Sequence, residues 1–239
     1  MCIRDRSKVF EWHLGKAVYT IQRKDSEVDV LIKRYYDPDP NYSREAKLWN
    51  TGKLNVAKMI NQVCEFPPRN VYIVQTLKDV LEKEPNRKVL ILSERRNHLQ
   101  ALEQLLRDHY DSIGYYVGGM NKKELDDGAS KDIILATFQL ASEAMDIPKL
   151  NTLILASPVS SIEQPIGRIQ RKKKEEREYT PLVLDILDEF SIFERQGAKR
   201  IAFYKKNKYS IEDSEKDLKE TLSDPSVKYQ FIKDEDDTT

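Results

Sequence analysis

One short segment carries side chains suited to phosphate chemistry, Gln164-Pro-Ile-Gly-Arg-Ile-Gln-Arg171. In a helix, Arg168 and Arg171 share one face because they are three residues apart, and Gly167 permits close approach on the exposed side. Two guanidinium groups with Gln164 one turn earlier offer planar donors to phosphate oxygens. The alternative is a solvated cationic helix face that continues into residues 172–174, and spacing alone does not separate the two.

A second segment, residues 133–148, places polar side chains after an apolar run. Thr137 directly follows Ile133–Ala136, so it is predicted at the carboxyl edge of a sheet, where α/β proteins bind ligands. Asp146 stands before Ile147-Pro148, where its carboxylate could meet a ribose or a cation. Alternatively, Thr137 caps a helix and Asp146 begins a turn, and the segment taken alone favours this second interpretation.

The chain around these segments alternates between strands and helices. Short apolar runs predict strands at 89–92, 113–117, 133–136, 152–156 and 182–185. Leucines at three- and four-residue spacing between 99 and 106 predict a helix, with Asn97 as its N-cap. This alternation predicts one α/β domain over residues 76–208, with a parallel sheet and helices on both of its faces.

The two flanks differ from this domain. Residues 1–75 predict two strands, at 18–21 and 28–32, and a helix at 55–64, too little for a complete second domain. Residues 209–239 hold ten acidic and four basic side chains, which predicts a mostly disordered acidic tail.

Composition limits the class of protein. The 239 residues contain 40 basic and 40 acidic side chains. The formal net charge of zero is the sum of two opposite contributions: the tail contributes 4 − 10 = −6, so residues 1–208 carry 36 − 30 = +6. No apolar run reaches ~18 residues, no leader is expected, and two cysteines form neither a disulfide framework nor a zinc pattern. We expect an intracellular, non-secreted protein with no metal site of its own.

Taken together, the motifs resemble those of superfamily 2 helicases in their DNA-repair and phage or large-DNA-virus branch. Residues 164–171 are similar to motif VI, residues 136–148 to motif V, Lys88–Ser93 to the strand of motif IV and Tyr116–Met120 to the following strand and loop. The resemblance covers roughly residues 75–208 and extends upstream through residues 8–15. It implies that the α/β domain is the C-terminal RecA-like domain of such an enzyme.

The resemblance implies a role for each motif residue at the nucleotide. Arg171 would be the arginine finger and Arg168 its partner, with ATP and Mg²⁺ bound mainly by a first RecA-like domain. By motif match, Gln164, Gly167, Glu143 and Asp146 would line the ATP side of the cleft between the domains.

The nucleic acid, single-stranded or duplex, would cross the top of the sheet. Thr137, Ser93 and Arg95 would contact phosphates, and Gly118 and Gly119 would offer backbone N–H groups. Each of these positions also has a plain loop interpretation. The motifs favour DNA because they look closer to the repair and viral branch than to RNA helicases.

The chain departs from the family in one decisive way. It contains no G-x-x-x-x-G-K-[ST] phosphate loop and no Asp-Glu-x-His element, both of which the family carries in its first domain. We therefore expect a fragment that is inactive alone, with residues 1–75 as the tail of the first domain and its crossover, and residues 1–7 unlike the family. Ala144 replaces the usual glycine, and Pro165 requires that the motif VI helix begin near Gln164.

Two competing hypotheses remain from the sequence. One is a non-catalytic RecA-like module that binds nucleic acid or a protein partner. The other is a nucleotide-binding α/β enzyme such as a methyltransferase, which the absence of a glycine-rich loop after residue 92 disfavours. Nothing in the sequence indicates an oligomer.

Overall fold

A parallel sheet lies at the centre of the protein. The computed structural model describes residues 27–143 and 145–213, without the side chains of residues 142 and 143. In these residues the strands are β1 (Asp29–Tyr35), β2 (Val89–Ser93), β3 (Ile113–Tyr116), β4 (Ile133–Thr137), β5 (Thr152–Leu155), β6 (Leu182–Asp188) and β7 (Ser210–Asp213). They lie in the order β3-β4-β2-β5-β6-β1-β7, and each neighbouring pair is parallel. The predicted parallel α/β class is confirmed.

Helices connect the strands. In chain order they are α1 (Pro40–Ser43), α2 (Val56–Glu65), α3 (Pro67–Lys83), α4 (Arg96–Arg107), α5 (Lys122–Ser130), α6 (Phe138–Glu143), α7 (Glu163–Ile169) and α8 (Ile192–Lys206), with a 3₁₀ turn at Lys174–Glu176. Asn97 was predicted to cap α4, but the helix begins at Arg96 with Arg95 in the cap position and no side-chain cap hydrogen bond. Helix α5 begins as a capping box, in which Asn121 and Glu124 satisfy each other's backbone N–H.

Two apolar cores cover the two faces of the sheet. Along β2, Val89 and Ile91 face one core, while Leu90 and Leu92 face the other, as the alternation of a strand requires. The first core is closed by α3 and α4, and the second by α6, α7 and α8. Since β2 is buried along its whole length, its apolar run Val89–Leu92 is continuous rather than alternating.

The predicted boundary at residue 75 does not coincide with a break in the structure. Strand β1 lies in the same sheet as the domain that follows, between β6 and β7, with Val30 and Ile32 in the apolar core. Residues 210–213, which were assigned to the acidic tail, form β7 beside β1. A strand whose partner lies 182 − 29 = 153 residues further along the chain cannot be assigned to its sheet by local periodicity. The strand predicted at 18–21 and the rest of the tail lie outside the described residues.

Buried ion pairs connect α3 and α8 to strand β6 of the sheet. Asp188, at the end of β6, accepts from Arg69 Nε (2.6 Å) and Nη2 (2.9 Å) and from the Tyr42 hydroxyl (2.8 Å). Asp185 in the same strand accepts from Arg200 Nε at 2.9 Å. All four charged side chains are almost fully buried. Removing one partner of a pair would therefore be strongly destabilising, because the other charge would stay buried without a counter-charge.

Candidate functional site

The two motif VI arginines meet at one backbone carbonyl. Helix α7 ends at Ile169, so Arg171 lies two residues beyond it, and the predicted shared helix face is wrong. Their side chains nevertheless converge, because Arg168 Nη1 and Arg171 Nη2 donate to the Met145 carbonyl oxygen at 2.7 and 2.9 Å. The short connection after α6 therefore holds both guanidinium groups together.

Asp146 joins this cluster through an ion pair with Arg171. The Arg171 side chain is 28% exposed and the Asp146 side chain 74%, so the pair lies at the surface. An ion pair of this kind contributes little stability because solvent screens it. Arg171 can therefore exchange its partner for another anion at small cost.

The remaining predicted nucleotide residues flank this cluster. Gln164 and Gly167 are exposed on α7, and a Cβ added at Gly167 would meet nothing within 4 Å. Glu143 ends α6, and its side chain lies outside the described part of the chain. The surface beside Gly167 is thus open to a large group such as a nucleotide.

A separate cleft of about 590 Å³ opens at the carboxyl ends of β2, β3 and β4. Arg95, Gly118 and Thr137, three of the five predicted nucleic-acid residues, line it together with Arg96 and Phe138. Thr137 ends β4 next to Ser93 in β2, as their register shows. Parallel strands bring these loops to one edge although they are far apart in sequence.

Ser93 does not line this cleft, contrary to the prediction. Its side chain is fully buried, and its hydroxyl accepts from the backbone N–H of Arg95 at 3.1 Å. The same hydroxyl oxygen lies 2.9 Å from His98 Nδ1. Ser93 thus supports the loop from below and is not available to a phosphate at the surface.

A buried hydrogen-bond chain continues from Ser93 into α3. His98 Nε2 lies 3.0 Å from Asn70 Oδ1, and Asn70 Nδ2 donates to the Cys64 carbonyl at 3.0 Å. Because the Asn70 oxygen must accept, His98 Nε2 carries the proton and Nδ1 accepts from Ser93. Burial, with the Arg69 charge added, lowers the pKa of His98 to about 3, which keeps the imidazole neutral.

The side chains of Arg95 and Arg96 make different contacts. The Arg95 side chain is tied to α2, because its Nε donates to Asn61 Oδ1 at 2.5 Å. Arg96, which the sequence analysis missed, donates to the Gly118 carbonyl and so joins two loops at the cleft. The sequence signal that could have identified Arg96 is its position immediately after Arg95. Gly119 stands beside the cleft with φ +89°, a conformation that favours glycine.

In residues 27–143 and 145–213, no group of three or more His, Cys, Asp or Glu side chains could hold a metal ion. Over the same ranges, every helix is too short or too polar to cross a membrane.

Comparison with known proteins identifies a domain within the chain and a similar viral protein. Residues 72–173 match the family described as "Helicase conserved C-terminal domain". L396 of Acanthamoeba polyphaga mimivirus, a presumed ATP-dependent RNA helicase, is 34% identical over 212 residues, which are 86% of this chain and 40% of that protein. The chain thus spans less than half the length of this relative.

Solved structures show the same fold. T4 UvsW has a TM-score of 0.57 at 20% identity, over 78% of this chain and 41% of that one. Dbp5 of S. cerevisiae, solved with RNA and ADP BeF3, has a TM-score of 0.52 at 12% identity, over 96% and 52%. The predicted RecA-like architecture is therefore confirmed. Residues 72–173 therefore carry the conserved C-terminal domain of helicases, and the chain is similar to a viral helicase over 86% of its own length.

Proposed function

We propose that this chain is the C-terminal motor part of an ATP-dependent nucleic-acid helicase. In this proposal Arg171 and Arg168 approach ATP that is bound mainly, with Mg²⁺, by another RecA-like domain. The observation that carries the proposal is the convergence of both guanidinium groups on the Met145 carbonyl. A pair of fixed cationic donors is what the spreading negative charge of phosphoryl transfer requires.

The open surface of α7 supports this assignment. Gly167 leaves room beside Arg168 for a bulky phosphate-bearing ligand, and Arg171 needs to give up only an exposed carboxylate. Closure of the two domains would then complete a site that this chain alone contains in part.

Nucleic acid is proposed to bind the cleft beside Thr137. Two arginines, Arg95 and Arg96, and one carboxylate, Glu94, line this edge, so its net charge is positive. Phosphate contacts of this kind do not depend on base sequence. The DNA preference stays a prediction, and the name of the mimivirus relative refers to RNA. Both nucleic acids therefore belong in the test.

Binding of fluorescein-labelled dT20 and rU20 to the full chain, followed by anisotropy at 50 and 200 mM salt, tests this part. We expect affinity that falls with salt, and Arg96→Met should reduce the log–log salt slope by about 0.7. Arg107→Met is the matched control, because Arg107 ends the same helix and pairs with Glu103. Equal slopes in all three proteins would contradict the cleft assignment.

The alternative is a non-catalytic RecA-like module that binds nucleic acid or a protein. It predicts the same salt-dependent binding but no effect of Arg168 or Arg171 on ATP hydrolysis after a first domain is supplied. The exposure of Arg171 beside Gly167 favours the motor proposal, since a plain binding module has no use for this arrangement.

A further inference from the structure

The connection between α1 and α2 forms a small hairpin, residues 46–55. Leu48 N–H donates to the Lys53 carbonyl at 2.8 Å, and Asn55 N–H donates to the Ala46 carbonyl at 2.8 Å. The turn closes at Gly52, whose φ of +65° suits glycine. Ala46 and Leu54 pack against the aromatic cluster under α1 and α2, so the hairpin is anchored at its base.

Trp49 stands at the tip of this hairpin with 97% of its surface exposed. Tryptophan has the largest side chain and is well buried on average, so a rigid turn that holds one in solvent is unusual. Leu48 beside it is 40% exposed. The backbone bonds of the hairpin keep the indole away from the protein's own core, which indicates that it serves an external contact.

The charges around the indole indicate the chemistry of the partner that it contacts. Residues 44–58 contain Arg44, Lys47, Lys53 and Lys58 but one acidic side chain, Glu45. Glu45 accepts from the Ser191 hydroxyl at 2.6 Å and is held against the start of α8. An exposed aromatic face among cations is the combination by which proteins stack an unpaired base and hold its phosphates.

One hydrogen bond links the cavity beside the hairpin to the Thr137 cleft. Lys47, Lys58 and Asn61 line an open cavity of about 1110 Å³ beside the hairpin. Asn61 in turn accepts from Arg95, which lines the Thr137 cleft. Arg44 also lines this cavity, and its carboxylates are Asp37, Asp39, Glu45 and Glu65. A single strand that reaches Trp49 would thus contact Lys47 and Lys58, and the excess of positive charge lies on the hairpin itself.

We propose that Trp49 stacks on an unpaired base of a single strand that extends from the Thr137 cleft, with Lys47 and Lys53 beside its phosphates. The inference rests on the proposed function, because it needs a strand in that cleft. It adds a base-stacking contact in a hairpin that precedes the matched helicase domain.

Tryptophan fluorescence tests the contact directly. The chain has two tryptophans, so Trp12→Phe leaves Trp49 as the single reporter. On addition of dT20 or rU20 we expect quenched Trp49 emission and protection from iodide. Trp49→Ala should weaken binding by about tenfold, while Trp49→Phe should stay within about threefold of the parent, because stacking on an aromatic ring is retained.

The outcomes separate this inference from the proposed function. Binding that Arg96→Met weakens, with Trp49 emission unchanged and Trp49→Ala at full affinity, would overturn the stacking role and leave the cleft in place. No binding of either oligonucleotide would overturn both. Protection of Trp49 that rises with protein concentration without oligonucleotide would also overturn the inference, since a second copy would then cover the indole.

Discussion

Arg171 is ion-paired with Asp146 at the surface, one residue from the carbonyl that Arg168 and Arg171 share. The pair joins the segment after α6 to the segment after α7, which the resemblance assigns to two different motifs. Because the carboxylate is mostly solvated, it adds little to the hold on Arg171, which the Met145 carbonyl keeps in place. This is the condition expected of a finger that must later face a nucleotide.

The first prediction contrasts this exposed pair with a buried one. Asp146→Asn should change the free energy of unfolding by less than about 1 kcal/mol, because solvent screens the exposed pair. Arg69→Met should lower it by about 3–5 kcal/mol, because Asp188 would remain buried without a counter-charge. Urea unfolding of both variants measures the difference. Equal losses would show that the Asp146 pair is structural and not exchangeable.

The second prediction uses two glycines as a matched pair. Gly128→Ala should destabilise the protein by about 1–3 kcal/mol or more, because the new Cβ would collide with the Tyr115 carbonyl. Gly167→Ala should be neutral or slightly stabilising, since its Cβ meets open space on a helix. Thermal unfolding followed by circular dichroism separates the two. A destabilised Gly167→Ala variant would contradict the open surface on which the ATP proposal depends.

The third prediction concerns the neutral His98. Its pKa is about 3 in the folded protein and about 6.5 when unfolded, so only the unfolded chain gains this proton as the pH falls. The contribution is constant above pH 7 and is lost progressively from about pH 6.5 down to 3. Between pH 7 and 5 the loss should be about 2 kcal/mol.

His98→Gln provides the control for this pH dependence. The amide can still link Ser93 and Asn70 but does not titrate, so the stability of this variant should fall less steeply over the same interval. Chemical denaturation at four pH values gives both curves. Parallel curves for parent and variant would show that His98 does not cause the acid sensitivity.

The sequence predicted the central strands because four of them are short apolar runs buried on both faces. It also predicted Thr137 at the carboxyl end of its strand, where the structure has it, and it proposed Arg168 and Arg171 as a pair, which the structure brings together at the Met145 carbonyl. It could not place β1 or β7, because their partners lie far away in the chain. Ser93 was predicted to contact a phosphate but is buried: whether a polar side chain points into the core or the cleft depends here on α3, which contributes Asn70 from a distant segment.

The most direct test of the motor proposal is ATP hydrolysis in a chimera. This chain would replace the segment that it matches in the mimivirus relative, so that the rest of that protein supplies a first domain. The parent chimera should hydrolyse ATP faster with single-stranded nucleic acid present. Arg177→Ala, a guanidinium loss six residues further on, is the matched control and should retain this activity. Arg171→Ala should lower the turnover by ~10³-fold or more, whereas turnover within about threefold of the parent chimera would contradict the finger assignment.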